Sequence, residues 1–450
     1  MRCLSRLSLL PGLAGAALCG ALAAPAWALD LQQAYDAAVA NDATIRAARS
    51  GAEAQRERLP QALSQLRPNV SFSAGRNYND LISEGRGPFG QDVRTQTHYF
   101  SGNQTLSVRQ PLYRPYLMAQ VRQAEAQVES AEADLARDEQ NLVVRVGEAY
   151  FEALLTREQL ALVLAQKEAY GTQLDAARKS LQAGSGTRTD IDEAQARLDL
   201  TVAQEMEARQ NEVYTRRRLE VLTGQAVEQL AGLDGERFAP QQPVPASVDE
   251  WIARAEASSP ELQSLRAQAE AARQEVDKAR AGHLPTLDAV AQWSRTSSDN
   301  VNSVNQRYDN KIIGLQLQVP LYAGGYVNST VRQAVAAHER ARELLEAARR
   351  DLGVRVHHEF RGMTEGILRI AALEQAVRSA EQAVQSSRKS LAAGVRTTLD
   401  VLNAEQQRTA ALRDLAQARY LYLASRLRLY ALSGEDAQAS VAQANAWLLR

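Results

Sequence analysis

The stretch Lys179–Ile191 reads KSLQAGSGTRTDI and returns 210 residues later as KSLAAGVRTTLDV at Lys389–Val401. In each copy a glycine, Gly184 or Gly394, suits the left-handed residue that ends a helix. A threonine three residues later is followed at capping-box spacing by an aspartate, a pattern that begins a new helix. Each stretch therefore predicts a tight turn between two helices.

The similarity continues towards the N-terminus of each turn. QPLY at 110–113 corresponds to VPLY at 319–322, and LRPNV at 66–70 corresponds to HLPTL at 283–287. Such a long-period similarity predicts an internal duplication. We expect a first structural repeat over 29–239, a Pro-rich linker over 240–247, a second repeat over 248–433 and a C-terminal segment over 434–450. Each repeat is expected to begin with one helix, followed by two strands, a very long helix, a tight turn and a return helix.

Long helices flank both turns. Apolar or small residues from Val331 to Val356 recur in alternating steps of three and four, a period typical of a coiled-coil seam. The equivalent run begins at Val121 in the first repeat. We predict long helices over about 114–182 and 325–392, with return helices over about 190–223 and 398–432. At about 1.5 Å per residue, each long helix would span roughly 100 Å, which no compact domain contains.

Between the helices the period changes to two. Ile313, Leu315, Leu317 and Val319 alternate with small or polar residues, which predicts a strand with one apolar face. We predict strands over about 68–79, 97–111, 285–297 and 310–321. Such strands suit a membrane β-barrel, or alternatively two soluble hairpins packed on helices. Since about eight strands are needed to close a barrel, a membrane barrel would require several copies of the chain.

Composition limits the class of protein. The 450 residues carry a net charge of −1; 45% of them are hydrophobic and only 5% are aromatic. The mean hydropathy is −0.36. These values disfavour a bundle of membrane-spanning helices and a nucleic-acid-binding polycation. The alanine-rich apolar fraction instead favours long, closely packed helices.

The first 28 residues are predicted to be a secretory signal peptide. Arg2 and Arg6 precede an apolar run, and Ala-Trp-Ala at 26–28 fits a cleavage site. A lipoprotein signal ending at Cys19 is the competing interpretation, which the preceding Leu18 disfavours. Cleavage after residue 28 would also remove Cys3, so the exported chain would contain no cysteine.

The sequence predicts neither an enzyme nor a cofactor or metal site. His357 and His358 are adjacent on a predicted helix and point apart, unlike the i, i+4 pair of a zinc helix. His338 falls on the helical seam, and the Gly324-Gly325 pair lacks the lysine of a phosphate-binding loop. No nucleophile with a partner base is evident.

The chain resembles the TolC family of trimeric outer-membrane efflux and type I secretion channels. The resemblance rests on AYF at 149–151, AQKEA at 165–169 and the two turns, and it spans most of the exported chain. It implies a mainly α fold with a small β portion. Long antiparallel coiled-coil helices would form an α-helical barrel that crosses the periplasm, joined to a homotrimeric twelve-stranded barrel in outer-membrane lipid.

The resemblance also assigns roles at the turns. Thr189 and Asp190 would contact Arg396 and hold the periplasmic aperture closed, and Asp400 would line an acidic ring. Mutual repulsion among three such carboxylates is expected to raise at least one pKa. We call the contacts of Thr189 and Asp190 with Arg396 the latch. Asn403 occupies the position where the resemblance implies a second acidic ring, and Leu391 occupies the position of a tyrosine that strengthens the latch. We therefore expect the aperture to be looser and less sensitive to cations than that of a family member with two acidic rings.

The partners implied are a periplasmic adaptor and an inner-membrane ABC or proton-driven transporter, with no nucleic acid. Drugs, metals and secreted proteins all remain possible cargo. The alternative function is a periplasmic coiled-coil adaptor or structural protein without a membrane barrel.

Overall fold

The computed structural model describes residues 28–235, 237–301, 304–434 and 437–449. The predicted signal peptide therefore lies almost wholly outside the described residues. The helices are α1 (Leu31–Asn41), α2 (Ala43–Arg56), α3 (Arg58–Ser64), α4 (Pro115–Gln182), α5 (Arg188–Thr223), α6 (Val248–Ser258), α7 (Pro260–Arg280), α8 (Tyr326–Ala392), α9 (Thr398–Leu432) and α10 (Ala437–Asn445). The strands are β1 (Asn69–Arg86), β2 (Asp92–Tyr113), β3 (Thr286–Val301) and β4 (Val304–Gln318).

Two helical hairpins of great length dominate the molecule. α4 contains 68 residues and α8 contains 67, so each extends about 100 Å. α4 returns through α5, and α8 returns through α9; α4 also packs on α7 and α9. The seam residues are buried or half-buried along both long helices, with Leu142 and Val356 among the fully buried ones. The fold is thus mainly α, as the sequence predicts.

The same order of elements occurs twice, but each repeat begins with more than one helix. α1 ends and α2 begins at Asp42, whose side chain accepts a hydrogen bond from the backbone N–H of Ile45 at 3.0 Å. α6 ends and α7 begins in the same way at Ser259, with Pro260 in the first turn of α7. These caps end one helix and start the next, so the single helix expected at the start of each repeat is wrong.

All four strands form one antiparallel sheet in the order β1-β2-β3-β4. Residues directly opposite one another run Val70–Val108–Ala291–Ile313 across the sheet. Because side chains alternate between faces, one face is apolar on every strand. Ile313 is 90% exposed and Leu315 70% exposed. The alternative of two separate hairpins packed on helices is wrong, since β2 pairs with β3 in a single sheet and, within the described residues, the apolar side chains of this face remain exposed.

A large apolar core lies midway along the long helices, and we call it the midsection core. It includes Tyr150, Leu154, Tyr422 and Leu427, together with Trp251. The chain around the Pro-rich linker and the C-terminal segment also enter it: Phe238 and Trp447 stack edge-on at 5.6 Å between ring centroids. Among the residues that the structure describes, no helix is apolar over a long enough stretch to span a membrane.

Candidate functional site: the ends of the two helical hairpins

The two turns have closely matching backbone geometry. Gly184 and Gly394 adopt φ of +77° and +73°, a region that residues with a Cβ rarely occupy. The N–H of Ser185 donates to the carbonyl of Ser180 at 3.0 Å, and that of Val395 donates to Ser390 at 2.9 Å. Each turn thus satisfies the free carbonyls that end its long helix.

Both return helices begin with a full capping box. The N–H of Asp190 donates to Thr187 Oγ1 at 3.2 Å, and the N–H of Thr187 donates back to Asp190 Oδ2 at 3.0 Å. In the second turn the corresponding distances between Asp400 and Thr397 are 3.3 and 2.9 Å. These hydrogen bonds satisfy N–H groups that the helix itself leaves free.

The same hydrogen bonds stabilise the charged carboxylates. Hydrogen bonds from Thr187 lower the pKa of Asp190, helped by the Thr398 hydroxyl of the other hairpin. Hydrogen bonds from Thr397 lower the pKa of Asp400, with a smaller contribution from the charge of Arg396. Within one chain Asp400 is therefore an N-terminal helix residue held ionised by its cap, and any repulsion between copies would oppose that effect.

A small apolar cluster joins the two hairpins near their ends. Tyr170 and Leu174 of α4, Ala194 of α5 and Leu402 of α9 are all buried together. Asp190 meets Thr398 beside this cluster. The first and second turns are therefore neighbours within a single chain.

Arg396 does not contact Thr189 or Asp190 within one chain. Its Nη1 instead donates to Ser387 Oγ of the same hairpin at 2.7 Å, and Ser387 is fully buried. Thr189 is exposed. The contact of Arg396 with Thr189 and Asp190 remains a prediction for the assembled protein, in which copies of the chain would meet.

Asn403 takes part in a contact that the sequence does not indicate. Arg197 of α5 donates through Nη2 to Asn403 Oδ1 at 3.0 Å and through Nη1 to Gln406 Oε1. The position predicted for a second acidic ring therefore carries a neutral amide bound to an arginine. Leu391, at the position that the resemblance gives to a tyrosine, is half-buried.

Sequence reasoning missed Arg197, Ser387 and Thr398 as members of this region. For Ser387 the sequence offers a partial signal, because the two repeats differ at this position: the equivalent residue of the first repeat is Ala177. Arg197 and Asn403 are 206 residues apart, and their contact depends on how α5 packs beside α9. No local pattern reports such packing.

Comparison with known proteins places the chain in a family. Residues 34–225 and 251–435 match the model of the outer membrane efflux protein family. The chain belongs to this family. The two matched ranges leave out residues 226–250, which contain the predicted linker.

Characterised relatives cover nearly the whole chain. The alkaline protease secretion protein AprF of Pseudomonas aeruginosa is 38% identical over 93% of this chain and 88% of its own length. The outer membrane protein TolC of Vibrio cholerae is 33% identical over 98% of both chains. Members of the outer membrane efflux family thus include proteins named for protein secretion.

The fold is shared with solved channels. The outer membrane channel CmeC of Campylobacter jejuni superimposes with a TM-score of 0.77, covering 92% of this chain and 89% of that one at 15% identity. The family match and the similar proteins above make the chain an outer-membrane protein of the efflux family with a long helical, periplasmic portion. They disfavour the alternative of a periplasmic coiled-coil adaptor or structural protein without a membrane barrel.

Proposed function

We propose that three copies of this chain form the exit duct of a type I secretion system or of a tripartite efflux pump. The duct would carry substrate unmodified across the periplasm and outer membrane, and it would open and close at the ends of the helical hairpins. We further propose that residues 1–28 are removed during export and that the repeats 29–239 and 248–433 arose by duplication.

The sheet carries this proposal. Within the described chain, β1 and β4 each pair on one side only, so the sheet has two open edges. One whole face exposes apolar side chains, including Phe72 at 62% and Leu317 at 64%. Open edges and an exposed apolar face are costly for an isolated soluble sheet. Closing three such sheets edge to edge in lipid would satisfy both features with twelve strands.

The return helix α5 gives independent support for assembly. Leu200, Met206, Val213 and Val221 are six to eight residues apart and, together with Tyr214 beside Val213, form an exposed apolar stripe with accessibilities between 52 and 68%. A spacing of about seven residues is typical of a helix surface that packs against another helix. Neighbouring copies in a helical tunnel would cover this stripe.

The turns suit the closing end of the duct. We propose that Arg396 of one copy contacts Thr189 and Asp190 of a neighbouring copy in the closed state, while three Asp400 side chains face the axis. Loss of such charge-assisted contacts would allow the hairpins of neighbouring copies to move apart. The population would then shift from the closed to the open state.

The cargo and partners follow from the relatives. AprF and the proteases secretion protein PrtF of Dickeya chrysanthemi, 32% identical over 94% of this chain, are named for protease export. We propose a secreted protein as cargo, with an inner-membrane ABC transporter and a periplasmic adaptor as partners. Drug or metal efflux through a proton-driven transporter is the second candidate, which the match to the outer membrane efflux protein family supports.

Fractionation and gene deletion test the proposal. The full-length protein should be recovered from the outer membrane as a heat-modifiable trimer, whereas a soluble periplasmic monomer would overturn the duct itself. Deleting the gene should remove a protein from the culture supernatant, and a plasmid copy should restore it. An unchanged supernatant together with increased drug or metal sensitivity would instead overturn the protein cargo.

A further inference from the structure

Arg197 carries a charge that no carboxylate balances. Its guanidinium donates to the amide oxygens of Asn403 and Gln406, both neutral acceptors. Among the described residues, none forms an ion pair with it. The buried Glu405 of the same stretch of α9 is already paired with Arg388 and, at 3.6 Å, with Arg408. A guanidinium keeps its charge at any working pH.

The proposed duct gives this charge a location. Asn403 follows Asp400 by three residues on α9, a separation of about 4.5 Å along the helix. If three Asp400 side chains form a ring at the aperture, Asn403 lies at the next level of the same wall. The guanidinium bound to Asn403 at 3.0 Å lies at that level too.

We infer that Arg197 is an ion-selectivity residue of the aperture, so that a ring of three positive charges lies beside the ring of three Asp400 carboxylates. This inference rests on the proposed trimeric duct. An aspartate at 403 would form a charge-assisted pair with Arg197 and cancel its charge. Asparagine accepts the same hydrogen bond and leaves the charge in place. Rings of charged side chains set which ions enter a narrow pore, and the two rings here have opposite signs.

The consequence is a constriction that does not strongly favour cations. Anions would be attracted at the level of Arg197 and cations at the level of Asp400. Because both levels lie within one Debye length, about 8 Å at physiological salt, a passing ion experiences their sum. The aperture would then have two causes of low cation sensitivity: the second acidic ring is missing, and a ring of positive charge lies at its level.

Reversal potentials in planar bilayers test the assignment on the purified full-length trimer. Under a potassium chloride gradient, Arg197→Gln should shift the reversal potential towards the potassium equilibrium potential. Asn403→Asp should shift it in the same direction, and Arg197→Lys, which keeps the charge, should leave it near the wild-type value. Arg178→Gln is the control for loss of an arginine near the same end of the hairpins, since Arg178 donates to Gln195 at 3.2 Å and its charge is paired with Asp175 at 3.8 Å.

The outcomes separate the inference from the proposed function. A reversal potential unchanged by Arg197→Gln, or shifted equally by Arg178→Gln, would overturn the role of Arg197 while leaving the duct intact. A wild-type protein that forms no trimer and no conducting pore would overturn the duct and with it this inference. A shift caused by Arg197→Lys as large as that caused by Arg197→Gln would show that the hydrogen bonds, rather than the charge, matter, and would also overturn it.

Discussion

At the scale of single residues, Arg396 shows how one side chain can serve two contacts. In one chain it donates to the buried Ser387 at 2.7 Å, whereas the proposed closed assembly requires it to reach Thr189 and Asp190 of a neighbour. Its five N–H donors allow both contacts at once. The intrachain bond would then position the guanidinium for the contact between copies.

We predict that Arg396→Ala increases the single-channel conductance of the closed state in planar bilayers, because it removes the contacts between copies. Ser387→Ala should have a smaller effect in the same direction, because it removes only the intrachain hydrogen bond that positions the guanidinium and leaves the charge in place. A fully closed wild-type pore that Arg396→Ala leaves unchanged would contradict the latch.

Glu158 is a half-buried carboxyl in the midsection and accepts a hydrogen bond from the hydroxyl of Tyr420. Burial raises its pKa, opposed by the Tyr420 hydrogen bond and by the charges of Arg157 and Arg419. A raised folded-state pKa means that this group favours folding below its ordinary pKa. That contribution is lost as the pH rises through the raised value.

We therefore predict that Glu158→Gln raises the thermal midpoint of unfolding at pH 8 and flattens its decline between pH 5 and pH 8. Glutamine can still accept the hydrogen bond of Tyr420 and never has to be buried as an anion. Glu152→Gln is the control on the same helix, because Glu152 forms a half-exposed pair with Arg218 at 2.5 Å. A midpoint at pH 8 that falls in Glu158→Gln would contradict this account.

At the scale of elements, the sheet provides adjacent positions on opposite faces. Leu315 belongs to the apolar face, opposite Ala289, and Gln316 belongs to the other face, opposite Asp288. An arginine in contact with lipid costs about 2–4 kcal/mol at the middle of the bilayer, while a position facing the lumen tolerates it. We predict that Leu315→Arg lowers the yield of heat-modifiable trimer in the outer membrane and that Gln316→Arg does not. Equal yields would show that the apolar face does not meet lipid.

Elements that repeat a local signal could be predicted from the sequence, and contacts between distant elements could not. The turns at Gly184 and Gly394, the long helices and the alternating strands all follow from short-range chemistry. The extra breaks at Asp42 and Ser259 had a signal in their capping residues, but the helical pattern on either side concealed it. The strands extend further than predicted, with β1 reaching Arg86, because cross-strand pairing with β2 continues beyond the apolar alternation.

The functional region divides in the same way. Thr187 with Asp190 and Thr397 with Asp400 could be recognised as caps, because three residues separate each pair. The pairing of Arg197 with Asn403 depends on how α5 and α9 lie side by side. Residues 240–247 and 434–450, expected as a linker and a tail, adjoin the midsection core: Tyr422 donates its hydroxyl to the carbonyl of Gln241 at 2.8 Å. Spatial packing of this kind leaves no short-range pattern in the sequence.

At the scale of the whole molecule, a closed barrel requires β4 of one copy to pair with β1 of the next. Ser73 of β1 and Asn310 of β4 lie at the same level on the same face of the sheet, joined through Thr105 and Ser294. A barrel tilts its strands and staggers their register. The partner of Ser73 in the next copy is therefore expected to be Asn310 or a residue an even number of positions from it.

We predict that Ser73→Cys, combined in turn with Asn310→Cys, Ile312→Cys or Tyr308→Cys, gives an oxidation-dependent trimer on denaturing gels for at least one pair. The background is clean, because the only two cysteines, Cys3 and Cys19, lie within the predicted signal peptide. Lys311→Cys with Ser73→Cys is the control, since its side chain lies on the opposite face and cannot meet disulfide geometry. A complete absence of cross-linking would contradict pairing of β1 with β4 within two residues of the level of Asn310, whereas cross-linked dimers with no trimer would contradict three-fold closure.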